Sequence, residues 1–293
     1  MIATGTDFVL PVDKPEGPTS HDVVGAVRRA VGTRRVGHTG TLDPFASGLL
    51  LLCVERATRL AEYLSGLDKS YEAVARLGIS TDTLDREGEV VCECSAWTDL
   101  EPDRVTEVLM GFTGTLEQVP PQFSAKKVEG EAMHRRARRG EWVELPPCSI
   151  TVHEIRVLAV DLPDVRFAVR CSTGTYIRAI ARDLGDALGV GAHLTALRRT
   201  AIGSFQVEDA ITVDALADWE AVHRVSIAPL DAVRHLPSLE IDDEVARRLV
   251  LGQKIRISDE GLAGPVAVSH GGSLLAIGEL DAGVLKPRKV FAT

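Results

Sequence analysis

The sequence predicts an α/β (α+β) protein with a mixed, mostly antiparallel central sheet, flanking helices and a small β-rich C-terminal module. Two observations carry this prediction. Residues 150–160 and 165–171 are predicted strands around a Leu162-Pro163-Asp164 turn, and the second alternates apolar and polar side chains, which indicates an antiparallel hairpin. Beyond Pro237, short strand-like segments follow a single short helix. We therefore expect one domain at residues 1–236 and a second at 237–293.

The first elements are predicted from apolar spacing and end signals. Ser20 is a candidate helix cap, the valines at 23, 24 and 27 share one helical face, and Gly32 ends the helix. The apolar run after this helix is typical of a buried strand. The predicted elements that follow are a strand at 49–54, a helix at 57–65, a strand at 71–77 and a helix at 102–110.

Residues 120–148 are predicted to form a basic insertion. Val119-Pro120-Pro121 breaks regular structure, and the segment 126–139 has only a narrow apolar stripe, mainly Met133 and Ala137. After the hairpin, a strand turns at Gly174 into a helix, with Tyr176 and Arg178 in its first turn. In the C-terminal module we expect a helix at 242–251 and strands at 266–269, 274–277 and 289–292.

Composition excludes several classes of protein. The chain has 293 residues, of which 45% are hydrophobic, and no window approaches the roughly 20 apolar residues of a membrane span. Its start lacks the pattern of a secretory signal, so we expect a cytoplasmic protein. Five cysteines without C-x-x-C spacing predict reduced thiols and no structural metal. Since no phosphate-binding glycine motif is present either, we expect no cofactor.

The charges are unevenly distributed. A net charge of −9 argues against indiscriminate binding of nucleic acid, yet the cations come in pairs, and acids dominate residues 82–103 and 209–220. Each pair alone is typical of a solvated helix face, whereas six pairs together favour a phosphate-binding surface. The pairs are Arg28-Arg29, Arg34-Arg35, Lys126-Lys127, Arg135-Arg136, Arg138-Arg139 and Arg198-Arg199.

The run GHTGTLDPFASG at residues 37–48 is the strongest candidate for a functional loop. Its glycines permit a close approach to a ligand, and His38 and Asp43 are its only strong proton-active groups. A structural interpretation competes with this one, since Asp43-Pro44 is also a common way to begin a helix.

Four motifs follow one another along the chain: DKPEGPTS at 13–20, GHTGTLDP at 37–44, KSY at 69–71 and GTYIR at 174–178. Together they resemble those of one enzyme family, the TruB-type bacterial tRNA pseudouridine-55 synthases. The resemblance extends from about residue 8 to residue 205, and the last segment is similar to a PUA-like RNA-binding module. It implies a pseudouridine synthase fold and an isomerase that breaks the bond between ribose and uracil N1, rotates the base and rejoins it through C5.

The resemblance implies that Asp43 is the nucleophile or base and that Arg178 pairs with it. A dry pocket would neutralise an isolated aspartate, so a cation beside it is needed. At about 4 Å and an effective dielectric near 20 the pair gains roughly 4 kcal/mol. That energy offsets a pKa shift of about two to three units, so we expect an ionised Asp43. From the residue alone, Arg178 would be a surface arginine.

The remaining site residues also follow from the resemblance. Tyr71 would stack on the target base and move a proton at C5, and His38 would contact the RNA near the space that an extruded base leaves. Tyr176 and Leu197 would line the uracil pocket, and Lys14 would belong to the substrate-binding set. Without the family, each of these would pass for an ordinary core or turn residue.

The expected partner is tRNA, through its T-arm stem-loop and, at the C-terminal module, its acceptor end. We expect no membrane, no obligatory protein partner and a monomer. The insertion departs from the family, with Phe123 where Tyr is usual and Met133-His134 where Leu-Tyr is common. An RNA-folding chaperone with a vestigial Asp43 is the alternative. A guide-RNA-dependent relative is disfavoured because the chain has its own basic insertion and lacks long basic extensions.

Overall fold

The structure is a computed structural model that describes residues 7–124, 127–128, 131–133, 139, 143, 145–257 and 263–291. Lys126, Arg135, Arg136, Ala137 and Arg138, on which part of the predicted basic surface rests, lie outside these ranges. So does the start of the chain, residues 1–6. Within the described ranges, no helix is both long and apolar enough to cross a membrane.

A ten-stranded mixed sheet forms the larger part of the molecule. Its main path runs in the order β14-β1-β3-β12-β4-β11-β10-β7, with β13 paired to β12 and β2 to β3. Its strands are β1 (Phe8–Lys14), β2 (Val36–His38), β3 (Ser47–Val54), β4 (Lys69–Leu77), β7 (Gly114–Gln118), β10 (Cys148–Asp161), β11 (Asp164–Cys171), β12 (Ala192–Ile202), β13 (Phe205–Gln206) and β14 (Ile211–Thr212).

Two small hairpins and a five-stranded sheet complete the strands. The five-stranded sheet has the order β15-β17-β18-β19-β16. The hairpins are β5 (Ile79–Thr81) with β6 (Val90–Glu93), and β8 (Lys127–Val128) with β9 (Glu131–Ala132). The small sheet contains β15 (Ser238–Glu240), β16 (Ile255–Arg256), β17 (Gly264–His270), β18 (Ser273–Asp281) and β19 (Val284–Val290).

The helices pack on the faces of these sheets. The α-helices are α1 (Ser20–Val31), α2 (Ala61–Ser65), α3 (Pro102–Met110), α4 (Ile177–Leu188), α5 (Trp219–Val225), α6 (Pro229–Ala232) and α7 (Asp243–Val250). Short 3₁₀ helices lie at Glu55–Leu60, Ser95–Asp99, Val207–Asp209 and Asp214–Ala217.

Most predicted elements are confirmed, and two need correction. Thr19, not Ser20, caps α1, because Thr19 and Asp22 form a reciprocal capping box. The predicted helix at 57–65 is a 3₁₀ turn followed by the short helix α2. Gly32 ends α1 in the left-handed conformation, as its position predicts.

Burial of both faces of β3 explains why its sequence is apolar without alternation. Leu49, Leu51 and Cys53 belong to one buried cluster, whereas Leu50 and Leu52 belong to another. Because successive side chains of a strand point to opposite faces, an unbroken apolar run means that both faces are covered. The loop at residues 39–46 therefore leads into a strand that is buried on both sides.

The small C-terminal sheet shares a hydrophobic core with the large sheet. Ala267, Ile277 and Phe291 pack in the same buried cluster as Val9 and Leu49. Hydrogen bonds add to this contact between the two sheets. Arg56 Nη1 donates to the carbonyl of Phe291 at 2.7 Å, and Arg59 Nη1 donates to that of Val290 at 2.6 Å. The two sheets are therefore joined by packing and by hydrogen bonds.

Candidate active site

The loop between β2 and β3 carries Asp43 and does not begin a helix. Residues 44 and 45 form a turn, and the amide of Ala46 donates to the carbonyl of Asp43 at 3.1 Å. The interpretation of Asp43-Pro44 as a helix cap is therefore wrong. The carboxylate is left to face other side chains.

Buried groups from the N-terminal region fix this loop. The Ser20 hydroxyl donates to the carbonyl of Leu42 at 2.9 Å and accepts from its amide at 2.8 Å. The Lys14 ammonium donates to the carbonyls of Pro15, Pro18 and Pro44 at 2.9, 2.8 and 3.3 Å. Burial lowers the pKa of Lys14 to about 8. Lys14 thus stabilises the loop through backbone carbonyls. Its assignment to the substrate-binding set stays a prediction.

Arg178, the second residue of α4, lies against Asp43. Its side chain is only 5% exposed, and Nε lies 2.9 Å from Asp43 Oδ2. Nη1 donates to the carbonyl of Thr83 at 2.6 Å, and Nη2 donates to the carbonyl of Phe123 at 2.8 Å. The guanidinium is therefore held from three directions, and the interpretation of Arg178 as a surface residue is wrong.

Asp85 is a second buried carboxylate at Arg178, and the sequence analysis missed it. Its Oδ2 lies 3.4 Å from Arg178 Nη1, and its side chain is 7% exposed. The Thr83 hydroxyl and the Glu87 amide donate to it at 2.7 and 3.0 Å. Asp85 lies in the acid-rich stretch at residues 82–103, and the local sequence gives no sign of its burial.

Leu84 is the residue that lets both neighbours reach Arg178. It has a φ of +63°, a left-handed conformation that costs roughly 1–2 kcal/mol for a residue other than glycine. Through this conformation the carbonyl of Thr83 and the carboxylate of Asp85 face the same guanidinium. The backbone strain at Leu84 thus lies in the turn that supplies Thr83 and Asp85, two of the four partners of Arg178.

One cation between two carboxylates sets the electrostatics of the site. Burial raises the pKa of Asp43 above its usual value, and the negative charge of Asp85 raises it further. Arg178 opposes both effects, as does the more distant Lys14. Since the side chain of Asp43 is 35% exposed, water still reaches it in the open pocket. The ionised state of Asp43 stays a prediction.

Asp43 and Arg178 lie in a cavity of about 320 Å³ that three other predicted site residues also line. Tyr71 comes from β4, Tyr176 from the residue before α4, and Leu197 from β12. Burial raises the pKa of Tyr71, and the positive charge of the Arg199 guanidinium opposes this. The pocket thus combines a carboxylate, two flat aromatic rings and an apolar wall, a surface that suits a planar base.

Arg199 is the second site residue that the sequence analysis misjudged. It was counted with Arg198 in a phosphate-binding pair, yet it is only 2% exposed. Its Nε donates to the carbonyl of Leu49 at 2.7 Å and Nη2 to that of Gly40 at 3.2 Å. Arg198 is ion-paired with Asp13 at 2.8 Å. Neither member of this pair therefore presents an unpaired cation to a phosphate.

His38 lies at the end of β2, outside the residues that line the cavity. Its Nδ1 is buried and has no hydrogen-bond partner within the described part of the chain. Burial and the nearby Arg199 lower the pKa of His38. A contact between His38 and RNA stays a prediction.

No three His, Cys, Asp or Glu side chains among the described residues are grouped so that they could hold a metal ion.

Lys69 is a further buried cation beside the pocket. It donates to the carbonyls of Ser65 and Leu67 at 2.6 Å each and to the Thr173 hydroxyl at 3.1 Å. Burial lowers its pKa to about 8.

Comparison with known proteins agrees with this architecture. Three family models match consecutive parts of the chain: the N-terminal domain of TruB family pseudouridylate synthases at residues 28–177, the tRNA pseudouridylate synthase B C-terminal domain at 178–234, and the C-terminal domain of pseudouridine synthase II TruB at 237–291. These matches show a pseudouridine synthase, an isomerase.

Relatives define the family more closely. The chain is 49% identical to tRNA pseudouridine synthase B of Thermobifida fusca, with 98% of this chain and 99% of the relative covered. It is 43% identical to the same enzyme of Aromatoleum aromaticum, with 98% and 93% covered. The chain belongs to the TruB family of pseudouridylate synthases.

Solved structures show the same fold. An H/ACA ribonucleoprotein bound to a substrate RNA containing 2'-deoxyuridine includes a chain that matches with a TM-score of 0.75 and 27% identity. The match covers 98% of this chain and 85% of that one. The predicted pseudouridine synthase fold is thus confirmed.

Proposed function

We propose that this enzyme converts a uridine of the tRNA T-loop to pseudouridine, and that Asp43 is its nucleophile or base. The observation that carries the proposal is the Asp43–Arg178 pair at 2.9 Å, in a cavity lined by Tyr71, Tyr176 and Leu197. Relatives named as tRNA pseudouridine synthases support tRNA as the substrate. The proposed substrate-binding set adds His38 and Lys14.

Each of the pocket residues has a separate role in the proposed reaction. Tyr71 and Leu197 hold the uracil ring by stacking and apolar contact, once the nucleotide has been extruded from the loop. Arg178 keeps Asp43 ionised and aims it at the nucleoside. The bond from C1' to N1 breaks, the base rotates and C1' bonds to C5. The proton that leaves C5 balances the proton gained at N1, so the isomerisation needs no co-reactant.

We also propose a division of labour along the chain. Residues 1–236 form the catalytic domain, with a basic RNA-binding insertion at about 120–148, and residues 237–293 form a PUA-like module that contacts the acceptor end of tRNA. The enzyme acts as a cytoplasmic monomer without a protein partner or a guide RNA.

The first experiment measures tritium release from a tRNA transcript labelled at uridine C5, with no metal, nucleotide or guide RNA added. We expect release by the native enzyme and none by Asp43→Asn, which keeps the shape of the side chain and loses its charge. Equal release by both would contradict the role of Asp43. Tight binding without release by either would favour the RNA-folding chaperone.

A further inference from the structure

Gln118, at the end of β7, holds the start of α4 from outside the helix. Its side chain is buried, with the residue 4% exposed. Nε2 donates to the carbonyl of Tyr176 at 3.1 Å, and the amide of Tyr176 donates to Oε1 at 2.9 Å. Tyr176 is the N-cap of α4, and its own side chain makes no capping hydrogen bond. The amide of Gln118 therefore fixes a helix start that lacks its own side-chain cap.

The segment that follows Gln118 contacts the same helix twice more. We call residues 118–124 the insertion stem, since the insertion continues from it. The carbonyl of Val119 accepts from Arg182 Nη2 at 3.1 Å, and that of Phe123 accepts from Arg178 Nη2 at 2.8 Å. The insertion stem thus contacts the first two turns of α4 at three points, and one of these points is the arginine that pairs with Asp43.

We propose that Gln118 is a positioning residue for the isomerisation, a step that rests on the proposed function. It touches neither Asp43 nor the cavity, and it acts through the backbone of Tyr176. Two residues after that contact, Arg178 must satisfy Asp43, Asp85 and two carbonyls at once. Because these acceptors come from separate segments, a shift of the helix start lengthens some of the contacts whichever way it occurs.

The electrostatic effect of such a shift has a definite sign. Arg178 lowers the pKa of Asp43 against burial and the charge of Asp85. When Arg178 is less well placed, that pKa rises further, and a smaller fraction of the enzyme carries the ionised carboxylate near neutral pH. Loss of Gln118 therefore slows the chemical step and moves the acid limb of the pH profile to higher pH.

The insertion stem supplies a matched comparison. Gln122 makes the same kind of two-bond contact with a backbone, since its Nε2 donates to the carbonyl of Val143 at 2.7 Å and its Oε1 accepts from the amide of Val143 at 3.4 Å. That contact ties the insertion to itself and not to α4. We expect Gln122→Ala to change KM for tRNA, whereas Gln118→Met should change kcat.

The test compares Gln118→Met, which keeps the volume and loses both hydrogen bonds, with Gln122→Ala. Thr115→Ala, an exposed change on β7, reports on the strand alone. Single-turnover tritium release at saturating tRNA is measured from pH 5 to 9, together with KM and the melting temperature. We expect kcat to fall by about tenfold or more, because a displaced Arg178 orients the charge of Asp43 less well. In Gln118→Met, KM should change less than about threefold. The acid limb should move to higher pH in this variant and in neither of the other two.

Several outcomes would overturn the inference. It fails when Gln118→Met has the native kcat and pH profile, and also when kcat falls without any shift of the acid limb. If Gln118→Met does not fold, Gln118→Glu replaces it, since this variant keeps the acceptor for the Tyr176 amide and loses the donor. A native kcat and pH profile in Gln118→Glu would then overturn the inference. An inactive native enzyme would contradict the proposed function, not this role of Gln118.

Discussion

The two partners of the Asp43–Arg178 ion pair are held in different ways. The Asp43 side is built mostly from nearby chain, because Ser20, Lys14 and the loop itself all lie within the first 48 residues. The Arg178 side gathers Thr83, Asp85, Phe123 and Gln118 from distant segments. Changes on the Asp43 side should therefore reduce stability first, and changes on the Arg178 side should reduce the reaction rate first.

Arg178→Lys should show the largest effect. A lysine keeps the charge but cannot reach the four acceptors that the guanidinium contacts in one plane. We expect kcat to fall by about 10²- to 10³-fold, a loss typical of removing a preorganised hydrogen-bond donor from an active site. Tritium release and thermal melting measure the two effects. A melting temperature that falls steeply while kcat is kept would reverse the comparison.

Gly48→Ala should disrupt the Asp43 side. Gly48 has a φ of +107°, and an added Cβ would lie 2.2 Å from the carbonyl oxygen of Arg199. The strand pairing between these two residues must then open, so we expect a loss of about 3 kcal/mol or more in the free energy of unfolding. Urea denaturation measures it. Gly37→Ala is the control, because no atom lies within 4 Å of a Cβ there.

Ser20→Ala should have a smaller effect on the same side. The change removes a buried hydroxyl that both donates to and accepts from Leu42, next to Asp43. The two backbone groups of Leu42 are left unsatisfied, which costs about 1–3 kcal/mol. We expect kcat to change less than stability does. Denaturation and tritium release on the same preparation decide this, and a kcat loss without destabilisation would contradict it.

Asp85→Asn should have the smallest effect and should appear in the pH profile. Since the Asp85 charge raises the pKa of Asp43, its removal lowers that pKa. With Asp43 in its proposed role, activity requires the ionised carboxylate and is lost as pH falls through its pKa, so the acid limb should move to lower pH. The profile of kcat from pH 4 to 8 measures the shift. A move to higher pH would mean that Asp85 acts mainly by orienting Arg178.

The same comparison explains what the sequence could predict. The loop at 37–48 and the helix with Arg178 stand out through local patterns, and the resemblance paired them. Asp85, Gln118 and Arg199 are invisible to such reasoning because each is buried by partners that lie far away along the chain. Arg199 even carried a misleading signal, since two adjacent arginines on a strand point to opposite faces and only one of them is solvated. The predicted helix 102–110, in contrast, follows from its own residues and is confirmed.

The shared core of the two sheets has a geometric consequence for the proposed substrate. Because Ala267 and Phe291 share a core with Val9 and Leu49, this packing opposes a hinge motion of the C-terminal sheet relative to the large sheet. An RNA that contacts both the pocket and the C-terminal sheet must match the distance between them. The bend between the arms of tRNA, as much as the sequence of its loop, would then select what this enzyme modifies.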